Sequence, residues 1–149
     1  FHAFREIVDR LERAWQNLTD PEEKLRILVG NHLEYFFARL DELTICSHEI
    51  HTLKGRPHQR VEDVRRRYYN LALGVVREIL AARAGRELQA SLATLNLFGM
   101  LNWIYMWIDP AKNRSHRVLA REICELFLHG LLHGAGGREE AGAAGGERP

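Results

Sequence analysis

A chain of 149 residues with 21 Lys and Arg against 20 Asp and Glu has a formal net charge of +1, so no overall field draws it to nucleic acid or to an anionic membrane. That length lets a folded chain bury roughly 70% of the surface it would expose unfolded, enough for one apolar core. The two cysteines, Cys46 and Cys124, form no Cys-x-x-Cys pair and follow no secretory segment, which favours a reduced, cytoplasmic setting, and the most apolar run, 95–108, falls short of the roughly 20 residues that span a bilayer.

Helix signals follow one another along the chain and strand signals do not. Phe4, Ile7, Val8, Leu11 and Trp15 recur at intervals of three and four, which predicts a first helix over 3–17. Its stripe is already running at the first turn without a cap, so a preceding segment is expected. In Asp20-Pro21-Glu22-Glu23, Asp20 suits the N-cap, Pro21 the first helical position, and the two glutamates the positive end of the helix dipole. This second helix continues through Leu25, Leu28, His32, Leu33 and Phe36. Residues 40–54 carry a weaker pattern, read as a short helix ending near Gly55. Pro57 opens the longest helix, whose stripe of Val61, Val64, Tyr68, Leu71, Val75 and Ile79 runs on to Ala84-Gly85.

The next helix, expected over 87–108, is apolar on two sides. Leu95, Phe98, Gly99, Asn102, Trp103 and Met106 fall on one face, and Leu97, Leu101, Ile104, Tyr105 and Ile108 on the other. One face belongs to the chain's own core; the other needs a second copy of the chain or bounds a cavity. After a polar turn over 109–114, Ser115 suits the N-cap of a last helix with Leu119, Ile123, Leu126 and Phe127 as its stripe. Residues 133–149 contain no bulky apolar side chain and are expected to be disordered. The predicted fold is therefore all-α, an antiparallel bundle of about six helices.

Phe98-Gly99-Met100-Leu101-Asn102-Trp103-Ile104-Tyr105-Met106-Trp107, then Asp109-Pro110, a polar turn and Ala120-Arg121-Glu122-Ile123-Cys124-Glu125-Leu126-Phe127-Leu128-His129-Gly130-Leu131, resemble the last two helices of the C-terminal ligand-binding and dimerisation domain of TetR/AcrR-type transcriptional regulators. The Asp20-Pro21-Glu22-Glu23-Lys24-Leu25 start is similar to the entry into that domain. The resemblance spans roughly residues 1–132, with 98–131 its most specific part. It implies that 1–18 is a connecting helix, 19–132 the sensing and dimerisation domain, and 133–149 a tail. It further implies a homodimer, a small, largely apolar effector (an acyl-CoA-like molecule among them), and control of a repressor. Members of the family open with a helix-turn-helix unit that nothing in this chain matches, so DNA contact is expected only through that absent N-terminal domain.

Two residue sets carry the functional expectation. Phe36, Tyr68, Phe98, Asn102, Trp103 and Met106 are taken to line an effector cavity. Leu97, Leu101, Ile104 and Ile108, with Leu119, Ile123 and Leu126, are taken to form the dimer interface. His48 and His51 lie three apart in His48-Glu49-Ile50-His51, unlike the metalloprotease His-Glu-x-x-His, and no metal, cofactor or catalytic residue is assigned. Arg65-Arg66-Arg67 point three ways on a helix and read as a solvated surface beside Glu62 and Asp63. The competing readings are an all-α metal-dependent enzyme using His32, His48 and His51, and a plain helical dimerisation module without a ligand.

Overall fold

A computed structural model describes residues 2–39, 56–82, 89–108 and 115–132, and all the regular structure in them is helical. The elements are α1 (His2–Trp15), α2 (Pro21–Phe37), α3 (Arg56–Ala81), α4 (Ala90–Asn102), a 3₁₀ turn η1 (Ile104–Met106) and α5 (His116–Leu132). The expected sixth helix over 40–54, with Cys46, His48 and His51, lies outside the described residues, as do the polar turn over 109–114 and the tail over 133–149.

Local chemistry sets the ends of these helices. The Asp20 carboxylate accepts the Glu22 backbone N–H at 3.0 Å, with Pro21 opening α2 behind it and Glu22 and Glu23 in the first turn. Ser115 does the same for α5, its hydroxyl accepting the Arg117 N–H at 3.3 Å. In place of one helix over 87–108, α4 starts after an extended Gln89 and stops at Asn102. Beyond it Met106 N–H donates to the Trp103 carbonyl and Trp107 N–H to that of Ile104, both at 3.1 Å. Pro110 disfavours helical geometry at residue 109, so the helix has to end before it, and the aromatic run tightens into a 3₁₀ turn on the way out.

α2 lies against α1, α3, α4 and α5. Its Leu25, Leu28, Val29 and Leu33 are completely covered, together with Leu11 of α1, Ala72 and Val76 of α3, and Leu97 and Leu101 of α4. Polar bonds fix the helix pairs around this core. Asn31 Nδ2 donates to the Ile7 carbonyl of α1 at 3.0 Å, and Trp15 Nε1 to the Lys24 carbonyl at 3.2 Å. Arg67 of α3 grips both oxygens of Glu12 on α1, at 2.8 and 2.6 Å, Lys24 meets Glu78 at 3.1 Å, and Arg26 meets Glu125 of α5 at 2.9 Å. Thr94, buried in α4, returns its hydroxyl to the Ala90 carbonyl at 2.7 Å.

Because Leu28 touches the core where the helices converge, Leu28→Ala should lower the unfolding free energy by about 2–5 kcal/mol. Urea denaturation followed by circular dichroism measures it, and a loss under about 1 kcal/mol would show that α2 is not the centre of the core.

Candidate functional site

Three helices place aromatic rings around one imidazole. His32, on the inner face of α2, is 3% exposed. Phe36, one turn further along α2, stacks on it with ring centroids 4.2 Å apart. Tyr68 of α3 lies nearly parallel at 5.9 Å, and Phe98 of α4 closes the side at 6.2 Å. Tyr68 and Phe98 are themselves 5.5 Å apart and tilted, within the range where edge-to-face pairs attract.

The polar atoms inside this cage are few. His32 Nδ1 and the Tyr68 hydroxyl are 3.2 Å apart and hydrogen-bonded. Nε2 is buried and has no hydrogen-bond partner. Burial drives the His32 pKa down to about 3, only partly opposed by the nearby Asn102 amide, which favours the charged ring without completing a hydrogen bond to Nε2. Burial also pushes the Tyr68 phenol far above its ordinary range. Both groups are neutral at pH 7, as an apolar site requires.

The expected cavity set therefore divides. Phe36, Tyr68 and Phe98 come together, and Asn102, though exposed, lies near enough to the imidazole to influence it. Trp103 and Met106 do not join them: they are 60% and 57% exposed. The reason is angular. On a helix Phe98 and Asn102 are about 40° apart but Phe98 and Trp103 about 140°, and after Asn102 the 3₁₀ turn changes the direction altogether. His32 was missed as the centre of the site, although a histidine on the stripe Leu25, Leu28, Leu33, Phe36 was the available signal.

The expected dimer set is corrected in the same way. Leu97, Leu101 and Ile104 are fully covered inside the protomer and Ile108 is half-buried, so they form no face left wet. The stripe continues upstream through buried Ala93 and Thr94, which seats it on the core. The opposite stripe faces outward. Asn96, Gly99, Trp103 and Trp107 form one wall of an open groove of about 730 Å³. Its floor and other wall are Leu119, Ile123 and Leu126 of α5, the first two buried and Leu126 67% exposed. Leu92 and Leu95, each more than half exposed, extend the apolar strip along α4. A Cβ added at Gly99 would meet nothing within 4 Å.

The other candidates have local explanations. Arg65 pairs with Glu62 at 3.0 Å, as a solvated helix surface predicts, while Arg67 turns to Glu12. A second hollow of about 240 Å³ between α1 and α3 includes Arg5, Asp63 and Arg67, with Arg67 already neutralised. Burial raises the Cys124 thiol to about 11, partly opposed by Arg26, with Glu125 and Glu23 adding to the rise, so it carries no thiolate at neutral pH. Among the described residues no three His, Cys, Asp or Glu side chains gather as metal ligands, and no helix is long and apolar enough to cross a membrane.

The sequence model of the family described as tetracyclin repressor-like, C-terminal domain, matches residues 18–131. No curated protein matches the chain. Among solved structures the chain is similar to PfmR, a TetR family transcriptional regulator from Thermus thermophilus, at 24% identity and a TM-score of 0.76, over 85% of this chain and 69% of that one. It is similar to the fatty acid degradation regulator FadR from Bacillus halodurans at 25% identity and a TM-score of 0.66, over 86% of this chain and 67% of that one. AibR, solved with isovaleryl coenzyme A and operator DNA, matches at 18% identity and a TM-score of 0.63, over 88% of this chain and 71% of that one.

The neutral His32 sets a pH dependence. Unfolded, the imidazole takes a proton below its ordinary value of 6.5; folded, it refuses one until about pH 3. Stability is therefore full above about pH 6.5 and falls as the pH drops through that window, by at most about 1.4 kcal/mol per pH unit. Urea titrations at pH 7, 6 and 5 should show this slope in the wild type and a shallower one in His32→Phe. Parallel slopes would mean that the ring is protonated in the folded protein.

Proposed function

Because the chain belongs to the family of tetracyclin repressor-like C-terminal domains, we propose that it is the effector-sensing and dimerisation half of a TetR/AcrR-like transcriptional repressor working in the cytoplasm. The observation that carries this reading is the meeting of Phe36, Tyr68 and Phe98, from three different helices, around one neutral imidazole. A small, largely apolar molecule entering among these rings separates α2, α3 and α4. It acts by binding one arrangement of the helices better than the other, since equal affinity for both shifts nothing. Residues 1–18 serve as the connecting helix towards a DNA-binding unit and 19–132 as the sensing domain. α1 takes part because it hangs on α2 through Asn31 and Trp15. FadR's role as a fatty acid degradation regulator and the isovaleryl coenzyme A bound to AibR support an acyl thioester or a related molecule as the effector class.

The groove between α4 and α5 is the dimerisation face in this reading. Leu92, Leu95, Trp103, Trp107, Val118 and Leu126 leave large apolar side chains in water on a protomer of this size, a pattern typical of an interaction surface. A two-fold axis through the groove sets α4 and α5 against their own copies as a four-helix interface.

A thermal-shift screen of acyl-CoAs, fatty acids and aromatic compounds tests the sensing role. At least one compound should raise the melting temperature by mass action, and Phe98→Ala should abolish that rise. If no compound moves the curve, the module that only dimerises becomes the better account.

For the interface, Leu95→Glu combined with Leu126→Glu should give a folded monomer in sedimentation velocity, because both side chains are already mostly exposed in the protomer. Leu101→Glu, by contrast, should unfold the chain, since that side chain is fully buried. A wild type that sediments as a monomer at micromolar concentration, or a double variant that stays dimeric, removes the groove as the interface.

A further inference from the structure

The sensing role leaves one atom of the cage unexplained. A buried nitrogen without a partner is costly and uncommon, and His32 Nε2 is such an atom. Its state follows from its neighbour. The Tyr68 hydroxyl is almost fully buried and its hydrogen-bond partner is His32 Nδ1. If Nδ1 carried the hydrogen and donated to the phenol oxygen, the phenol hydrogen would have no acceptor. With the phenol donating to Nδ1, the neutral ring holds its hydrogen on Nε2. The unpaired group is then an N–H donor, held in orientation by the stacked Phe36 ring on one side and the Tyr68 hydrogen bond on the other.

Resting on the sensing role proposed above, we infer that His32 Nε2–H is the polar anchor of the effector site and that it selects an apolar molecule carrying an uncharged hydrogen-bond acceptor, the carbonyl oxygen of a thioester, ester or ketone. The rings around it are apolar, so the rest of the ligand is hydrocarbon or aromatic. The acceptor is uncharged because no ion pair of the described residues involves a cage member and the ring itself stays neutral; a carboxylate brought there would leave water without a compensating cation. Asn102 marks the way in. It is exposed at the C-terminal end of α4 and lies close enough to the imidazole to favour its charged form without pairing Nε2, so the anchor lies one side chain from solvent. Tyr68 is a positioning residue here: its hydroxyl fixes the tautomer that points the donor at the ligand.

The test uses three probes of matched length, 2-undecanone, undecane and decanoate, on the purified chain. The ketone should bind about tenfold or more tightly than the alkane, the difference expected for pairing an otherwise unsatisfied donor, and more tightly than decanoate at pH 7. His32→Phe should bind ketone and alkane alike. Should that variant fold poorly, ¹⁵N-histidine-labelled wild type gives an independent reading: the His32 Nε2–H proton moves downfield on adding the ketone and stays in place with the alkane. Equal binding of ketone and alkane to the wild type, a preference that survives in His32→Phe, tighter binding of decanoate, or a ring with its hydrogen on Nδ1 would each overturn the anchor while leaving an apolar sensor in place. If no probe binds and the wider screen of acyl-CoAs, fatty acids and aromatics is also blank, the sensing role falls and the anchor with it.

Discussion

A helix contacted by four neighbours has to bury side chains around most of its circumference, and α2 does so. Leu25, Leu28, Val29, Leu33, Tyr35 and Phe36 are all buried, although they point in several directions. Such a helix has little free surface with which to adjust, because a packed interior behaves as a close-fitting solid. Its N-terminal half is held as well, by the Asp20 cap and by the ion pairs of Lys24 with α3 and of Arg26 with α5, and its C-terminal half by Glu34, paired with Arg10 of α1. α1, α3 and α5 find their places by packing against α2, while α4 packs chiefly on α3, so a disturbance of α2 is felt directly in the first three and through α3 in the fourth. A histidine in that position is the exception among aliphatic and aromatic neighbours. It weakens the core locally, and the fold tolerates it only in the neutral form.

How much of this was legible in the sequence depended on whether one face of a helix or two was apolar. α1 declared itself through Ile7, Val8 and Leu11, which are buried as their spacing required. The Asp20-Pro21 start was readable because a cap is local chemistry, and α3 was readable from Tyr68, Val75 and Ile79. α4 was different. With apolar side chains on both sides, periodicity established that two surfaces had to be covered but not which one the protomer covers itself. Leu97 and Leu101 are inside and Trp103 is out, and the decisive residues, Ala93 and Thr94, lie one turn upstream of the apolar run over 95–108. The early end of α4 at Asn102 was hidden for a related reason, since a 3₁₀ turn keeps nearly the same apolar spacing as the helix it follows. Phe36 and Tyr68 meet His32 because each sits on the inner stripe of its own helix, whereas Phe98 reaches them from the flank of the Leu97–Leu101 stripe, on a face that spacing groups with Trp103 and Met106.

α4 thus serves two environments across the thickness of one helix. Phe98 and Asn102 address the aromatic cage, while Gly99 and Trp103, the residues next to them in the chain, border the outer groove. Neighbouring residues on a helix share one rigid backbone, so a displacement that opens the cage also moves the wall of the groove. The lack of a side chain at Gly99 leaves the backbone of α4 open to close approach from outside, one residue along from Phe98 of the cage.

The bond from Asn31 to the Ile7 carbonyl has a mechanical consequence. That carbonyl belongs to the interior of α1, where the helix already uses it, so Asn31 occupies its second lone pair and adds a fastening without breaking a turn. Trp15, tied to the Lys24 carbonyl, fastens the far end of α1 to the same helix. The two fastenings are roughly 12 Å apart along the axis. A rod held at two points by one body can neither roll nor slide on it. α1 therefore follows α2 as a lever arm, and a tilt of α2 is magnified towards the N-terminal end of α1 in proportion to its length. Asn31 and His32 are consecutive residues, so the fulcrum of that lever stands beside the one polar side chain buried on α2.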